Sequence, residues 1–195
     1  MEGRAPVRSP RRTDARRNRE RLLAVAREAF DEAGPDASLV EIARRAGVGQ
    51  GTLYRHFPTR AALLSAVLAD RIETLCRQAA ELSATRSADD ALAAWLHLFL
   101  AHARVNQGLA GMFMIEEAAA VTVDCHQVIM AAAADLLGRA QREGVARTDL
   151  RPDDLVQLVV GVALATSRGD DADDDQAVRL LRLTLDAVRI SGGDA

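Results

Sequence analysis

Lysine is absent from this chain of 195 residues: all 25 of its basic side chains are arginine. With abundant alanine, that points to a GC-rich genome, so a single Arg or Ala says little and its position says more. Cysteine is scarce too. Cys76 and Cys125 make no CxxC pair and no metal spacing, which argues against a disulfide framework and fits two thiols in a reducing compartment. No apolar run reaches the roughly 18 residues of a membrane span, and no apolar h-region follows the arginine-rich start. Neither a span nor a secretory leader is expected, and the protein is placed in the cytoplasm. Period-two alternation is missing as well, so strands are not expected. What is present is 49% hydrophobic residues, enough for a sizeable core in one or two domains.

The net charge of -3 conceals an asymmetry. Through Arg60 there are 13 Arg against 8 acids; beyond it, 12 Arg face 20 acids. Eight arginines precede Leu22, among them Arg16 and Arg17, a basic arm suited to phosphate contacts. Its first residues, 1–12, read as a disordered, solvated tail.

Apolar spacing then predicts helices throughout. Leu22, Leu23, Ala26, Ala29 and Phe30 line a helix from about Thr13 to Gly34-Pro35. Ser38-Leu-Val-Glu41 reads as a reciprocal capping box opening a second helix that ends near Arg45. Gly47 follows, where a left-handed C-cap suits glycine. A third helix starts near Gln50 and stops before Pro58, barely two turns on. Two short helices across a glycine turn make a helix-turn-helix, with Ala43 at the crossing and Val48 and Leu53 as the apolar wedge. Gly49 and Gly51 keep the start of the third helix free of bulk. Gln50, Thr52, Tyr54, Arg55 and His56 are hydrogen-bonding or cationic types suited to phosphates and base edges.

The run "SLVEIARRAGVGQGTLYRHFPTRAALLSAV", preceded by "AREAFDEAG", resembles the N-terminal domain of the TetR family of bacterial transcriptional regulators. The resemblance covers a quarter to a third of the chain. Gly49 stands where the family commonly has a serine cap, and Ala61-Ala62 where an acidic pair is usual. The resemblance implies an all-α homodimer: an N-terminal three-helix helix-turn-helix domain (13–58) that reads an operator, and a C-terminal helical bundle (59–195) for ligand binding and dimerisation. It also implies phosphate contacts from Thr52, Tyr54, His56 and Arg60, with Gln50, Gly51 and Arg55 nearest the bases. Arg60 in a first helical turn opposes the helix dipole, which makes sense beside a phosphate. Each residue also has a structural reading: Tyr54 half in the core, His56 packed beneath its helix, Arg60 merely solvated.

Beyond Thr59, apolar residues from Leu63 to Leu75 continue a helix for about 24 residues, a rod of about 36 Å. Ser87-Ala-Asp-Asp90 opens another helix with Trp95 and Phe99, expected to break at Asn106-Gln107-Gly108. Aromatics and methionines gather here. Trp95, Phe99, His102, Phe113 and Met130 are candidate walls and polar groups of a small-molecule pocket, though such side chains are equally ordinary core. His97, His102, Asp124, Cys125 and His126 suggest a metal site, but His97 and His102 are five apart and on different helix faces, so no metal or cofactor is expected. Pro152 opens a helix whose "LVQLVVGVALAT" stretch is apolar nearly all round, demanding cover on more than one side, with Gly161 allowing close approach. A charge at Val159 or Val162 is expected to dissociate or unfold the protein. Asp170 to Asp175 reads as an acidic loop, without calcium-ligand alternation, before a last helix with Val178, Leu181, Leu185 and Val188.

The function expected is therefore a dimeric DNA-binding regulator, a repressor released from an inverted-repeat operator by an effector. Two alternatives stand beside it. One is a constitutive DNA-binding dimer without ligand. The other is an enzyme fused to a DNA-binding module, against which stands the lack of any nucleophile-base constellation or phosphate-cradling loop.

Overall fold

The protein is described by a computed structural model over residues 10–110, 116–166 and 171–190. Eight α-helices account for most of the described residues, with no strand among them and one isolated bridge between Ala146 and Arg189. Among the described residues, no helix is long and apolar enough to cross a membrane. The helices form two compact units divided between Val67 and Leu68.

The first unit holds α1 (Pro10–Ala33), a 3-10 turn, α2 (Leu39–Arg45), α3 (Gln50–His56) and the first turns of α4 (Arg60–Thr85). Helix α1 thus begins three residues before the expected Thr13, and the unit reaches past residue 58 to Val67. Leu22, Ala26 and Phe30 of α1, Ile42 and Ala43 of α2, Leu53 of α3 and Leu63 and Val67 of α4 are all buried. Half of the expected capping box forms. The Ser38 hydroxyl accepts the Glu41 amide at 3.4 Å, but the Glu41 carboxylate turns to the Arg44 guanidinium, at 2.7 and 2.6 Å. A charge-assisted, two-point contact outcompetes the neutral Ser38 amide.

The second unit comprises the rest of α4 with α5 (Ala88–Ala110), α6 (Glu116–Arg142), α7 (Pro152–Ala165) and α8 (Asp171–Val188). Helix α5 lies against α6, α7 and α8. Two expectations fail here. Asn106-Gln107-Gly108 does not end α5, which runs on to Ala110; one glycine inside a helix costs only about 1 kcal/mol relative to alanine, which the packed remainder absorbs. The segment from Asp171 to Asp175 is no loop but the opening of α8, where carboxylates complement the helix dipole. Gly144, at φ 71°, follows the end of α6: its N–H bonds the Gln141 carbonyl and that of Val145 the Ala140 carbonyl.

Candidate nucleic-acid interface

The geometry of the first unit is set by Gly47. With φ 66° it takes the left-handed conformation at the end of α2. Its N–H bonds the Arg44 carbonyl and that of Val48 the Ala43 carbonyl, the paired bonds that reverse the chain after a helix. Gly49 then caps α3 through its backbone, with no side-chain bond. Helix α2 is also tied back to α1, because Arg45 reaches Glu32 at 2.8 Å and Glu28 at 3.5 Å. The Arg45 guanidinium holds the Glu32 carboxyl below its ordinary range.

Fixed between these anchors, α3 buries Leu53 and leaves Gln50, Gly51, Tyr54 and Arg55 exposed, with Tyr54 48% accessible. Thr52 and His56 are half-buried at the edge of the same helix. Arg55 folds back on α3, its Nε donating to the Gly51 carbonyl at 3.0 Å. His56 sits beside Phe57, ring centroids 6.3 Å apart. Arg60 is part-buried rather than merely solvated, donating to the Ala37 carbonyl at 2.7 Å, so it braces the start of α2 against α4. Arg16 and Arg17 are exposed on α1, Arg16 pairing with Glu20 at 3.3 Å. Sequence spacing does not reveal a further contact: Arg19 lies over the Phe57 ring, 5.3 Å from its centroid. That cation-π contact clamps α1 to the end of α3.

The glycines of α3 lack an internal reason. A Cβ added at Gly49 or Gly51 meets nothing within 4 Å, and neither has the positive φ that makes Gly47 irreplaceable. Alanine would fit Gly51 and favour the helix. The open space lies on the exposed side of α3, beside Gln50 and Tyr54.

In the second unit, Trp95 and Phe99 are core side chains. Trp95 is fully buried, donates Nε1–H to the Leu75 carbonyl at 3.2 Å and stacks on Phe99 with centroids 5.4 Å apart. Met130 is half-buried against the same core, and Phe113 lies outside the described residues. A groove of about 610 Å³ runs between α4 and α6, lined among others by Cys76, Ser83, Val128 and Asp135; of the described candidates, none of Trp95, Phe99, His102 and Met130 is among its lining residues. Among the described residues, no His, Cys, Asp and Glu cluster of three is placed for a metal.

His102 is half-buried, and desolvation with the nearby Arg71 charge lowers its pKa from 6.5 to about 4. The folded protein therefore holds it neutral, while the unfolded chain protonates it below about pH 6.5. Its contribution to stability is complete above that pH and lost as pH falls toward 4, by at most about 3.5 kcal/mol at about 1.4 kcal/mol per unit. His102→Gln is expected to show a smaller drop in urea midpoint between pH 7 and pH 4.5 than the parent. Equal drops would mean that His102 titrates normally.

Comparison with known proteins agrees with this geometry. Residues 22–67 match the bacterial regulatory proteins of the tetR family, and residues 87–190 match the C-terminal domain of SbtR-like transcriptional regulators. The chain is 38% identical to the TetR transcriptional regulator SCO0520 of Streptomyces coelicolor, covering 89% of this chain and 99% of that one, with a TM-score of 0.78. A TetR transcription regulatory protein of Mycobacterium vanbaalenii is 32% identical over 93% of this chain and 100% of its own, with a TM-score of 0.74. Among curated relatives, the HTH-type regulator TtgW of Pseudomonas putida is 46% identical over 59 residues, 30% of this chain and 44% of that protein. An HTH-type regulator of Staphylococcus aureus is 45% identical over 53 residues, and the chain spans only 29% of its length. TetR-family regulators bind operator DNA and act as dimers. With a helix-turn-helix built on Gly47, and with both domains matched along most of its length, the chain belongs to the TetR family of bacterial regulatory proteins.

Proposed function

We propose that the protein is a homodimeric repressor that binds an inverted-repeat operator through α3 in the cytoplasm and is released by a small-molecule effector. Gly51 carries the reading: a residue unfavourable in a helix stands where the fold has room for a side chain, on the face bearing Gln50, Tyr54 and Arg55. Close approach of a duplex gives that vacancy a purpose. Tyr54, Thr52, His56, Arg16 and Arg17 meet phosphates, while Gln50 and Arg55, swung from its own helix, reach base edges. Arg60, tied to Ala37, serves as a fixed cation behind them.

Dimerisation falls to α7 and α8. Leu155, Val156, Val159 and Ala163 face their own core, whereas Leu158, Gly161, Leu164, Val178 and Leu183 are exposed in the protomer. Burying such apolar area drives association. An effector near His102, Phe113 and Met130, with Trp95 and Phe99 behind, acts only by preferring the DNA-incompetent state. A tenfold loss of operator affinity needs about 1.4 kcal/mol of such preference, and the operator weakens the effector equally. The close packing of Trp95 on Phe99 favours, as a second reading, a dimer that holds DNA without an effector.

Gly51→Ala separates fold from function. It is expected to raise unfolding stability by up to about 1 kcal/mol and yet weaken binding at least about tenfold to an operator selected from random duplexes. Unchanged operator affinity in the stabilised variant would contradict the proposal.

A further inference from the structure

Helices α5 and α8 run antiparallel, and an ion pair joins them toward each end. Near the start of α8, Asp174 pairs with Arg104 of α5. Just past the other end of α8, Arg189 grips Asp89 in the first turn of α5 with two bonds of 2.8 Å, Nε to one carboxylate oxygen and Nη2 to the other. Fifteen residues separate Asp89 from Arg104, and fifteen separate Asp174 from Arg189. The pairs are therefore about 22 Å apart at about 1.5 Å per residue. Their polarity is reversed, since each helix supplies the acid near its own start and the arginine toward its end.

Arg104 does more than pair. Its Nη2 donates at 2.9 Å to the carbonyl of Thr166, the buried residue that closes α7. One guanidinium thus joins the end of α7 to the start of α8, a cation placed where helix carbonyls and a carboxylate both favour it.

These contacts add little to stability as such. The side chains of Arg189 and Asp89 are 41% and 36% exposed and that of Asp174 69%, and ion pairs open to water are worth little. Apolar packing, for its part, leaves the register poorly defined. Helix α8 buries Ala177, Leu181, Leu185 and Val188, and a slide by one turn, about 5.4 Å, puts leucine where leucine was. The same slide pulls both ion pairs apart. It also carries Val178 and Leu183, exposed on α8, past Leu158 and Leu164, exposed on α7.

We infer that the two reversed ion pairs set the register of α8 against α5 and α7 and so shape the apolar face offered to a second copy of this chain, with Arg104 as the principal positioning residue. The inference rests on the reading of α7 and α8 as the dimer face and adds what holds that face in shape. A two-fold interface meets any error of register twice, once from each protomer.

Equilibrium sedimentation of the full chain tests it, with Arg104→Gln, Asp174→Asn and the two together. Each single substitution is expected to raise the dimer dissociation constant at least about tenfold, and the double variant no further than Arg104→Gln alone, because both remove one shared contact. The unpaired protein separates positioning from support. In the Leu164→Asp, Leu183→Asp background, Arg104→Gln is expected to keep the helical circular dichroism and to move the urea midpoint little. A dimer as tight in both single variants as in the parent overturns the inference and leaves α7 and α8 as the dimer face. Effects of the two substitutions that simply add overturn it as well, as does a fall in the urea midpoint of the unpaired background large enough to account for the weakened dimer. If the Leu164→Asp, Leu183→Asp protein still pairs, the dimer face lies elsewhere and both readings fall together.

Discussion

Val159→Asp is expected to abolish folding of the second unit, whereas Leu164→Asp with Leu183→Asp is expected to leave each protomer folded but unable to pair. Adjacent helix positions face different neighbours. Val159 is fully buried among Leu155, Val156 and Ala163 in the core. A carboxylate there sits among apolar side chains, and a buried charge without a partner costs several kcal/mol, comparable to the roughly 5–15 kcal/mol that holds a typical domain together. Leu164 and Leu183 are 61% and 59% exposed in the protomer, so a charge at either leaves the core intact. Circular dichroism should show the helical signal lost for the first variant and kept for the second. Equilibrium sedimentation should then give a monomer for the double variant at concentrations where the parent is a dimer. A folded Val159→Asp protein, or an unaltered dimer carrying both leucine substitutions, would contradict the assignment of faces.

Trp95→Ala is expected to lower unfolding stability by about 3–5 kcal/mol, the usual range for removing a buried tryptophan. The substitution removes the stack on Phe99, the packing in the α5 core and the bond to the Leu75 carbonyl. That carbonyl lies inside α4, where a carbonyl has the helical amide four residues on as a partner, so deletion leaves mainly a cavity rather than an orphaned acceptor. Denaturant unfolding of the protein without effector measures the loss. A loss below about 1 kcal/mol would mean that Trp95 borders an open space rather than a filled core.

The helix-turn-helix was legible because its signals are local. Gly47 stands where the backbone needs a positive φ, and the spacing of Leu22, Ala26, Ala43 and Leu53 marks the core faces. Local signals also misled. Asn-Gln-Gly at 106–108 resembles a stop but lies inside α5, because packing along the helix outweighs one glycine. Five residues from Asp171 resemble a solvated loop but open α8, where their charge suits the helix dipole. Contacts across the fold were not legible at all. Nothing near Arg60 announces the Ala37 carbonyl, and nothing near Arg19 announces Phe57. An all-round apolar stretch such as Leu155 to Thr166 demands two covers but does not say which face takes which. Packing of the protomer decides it, turning Val159 inward and Leu158 outward.

The central claim is that α3 of a two-fold symmetric dimer reads a specific duplex. Footprinting of the wild-type protein on an operator selected from random duplexes tests it most directly. The account predicts two protected half-sites related by inversion, their centres one helical turn or a small multiple of it apart, filled by two protomers together and unprotected when Gln50 and Tyr54 are both replaced by alanine. Protection without preference for any sequence, or a single unsymmetrical site filled by one protomer, would contradict it.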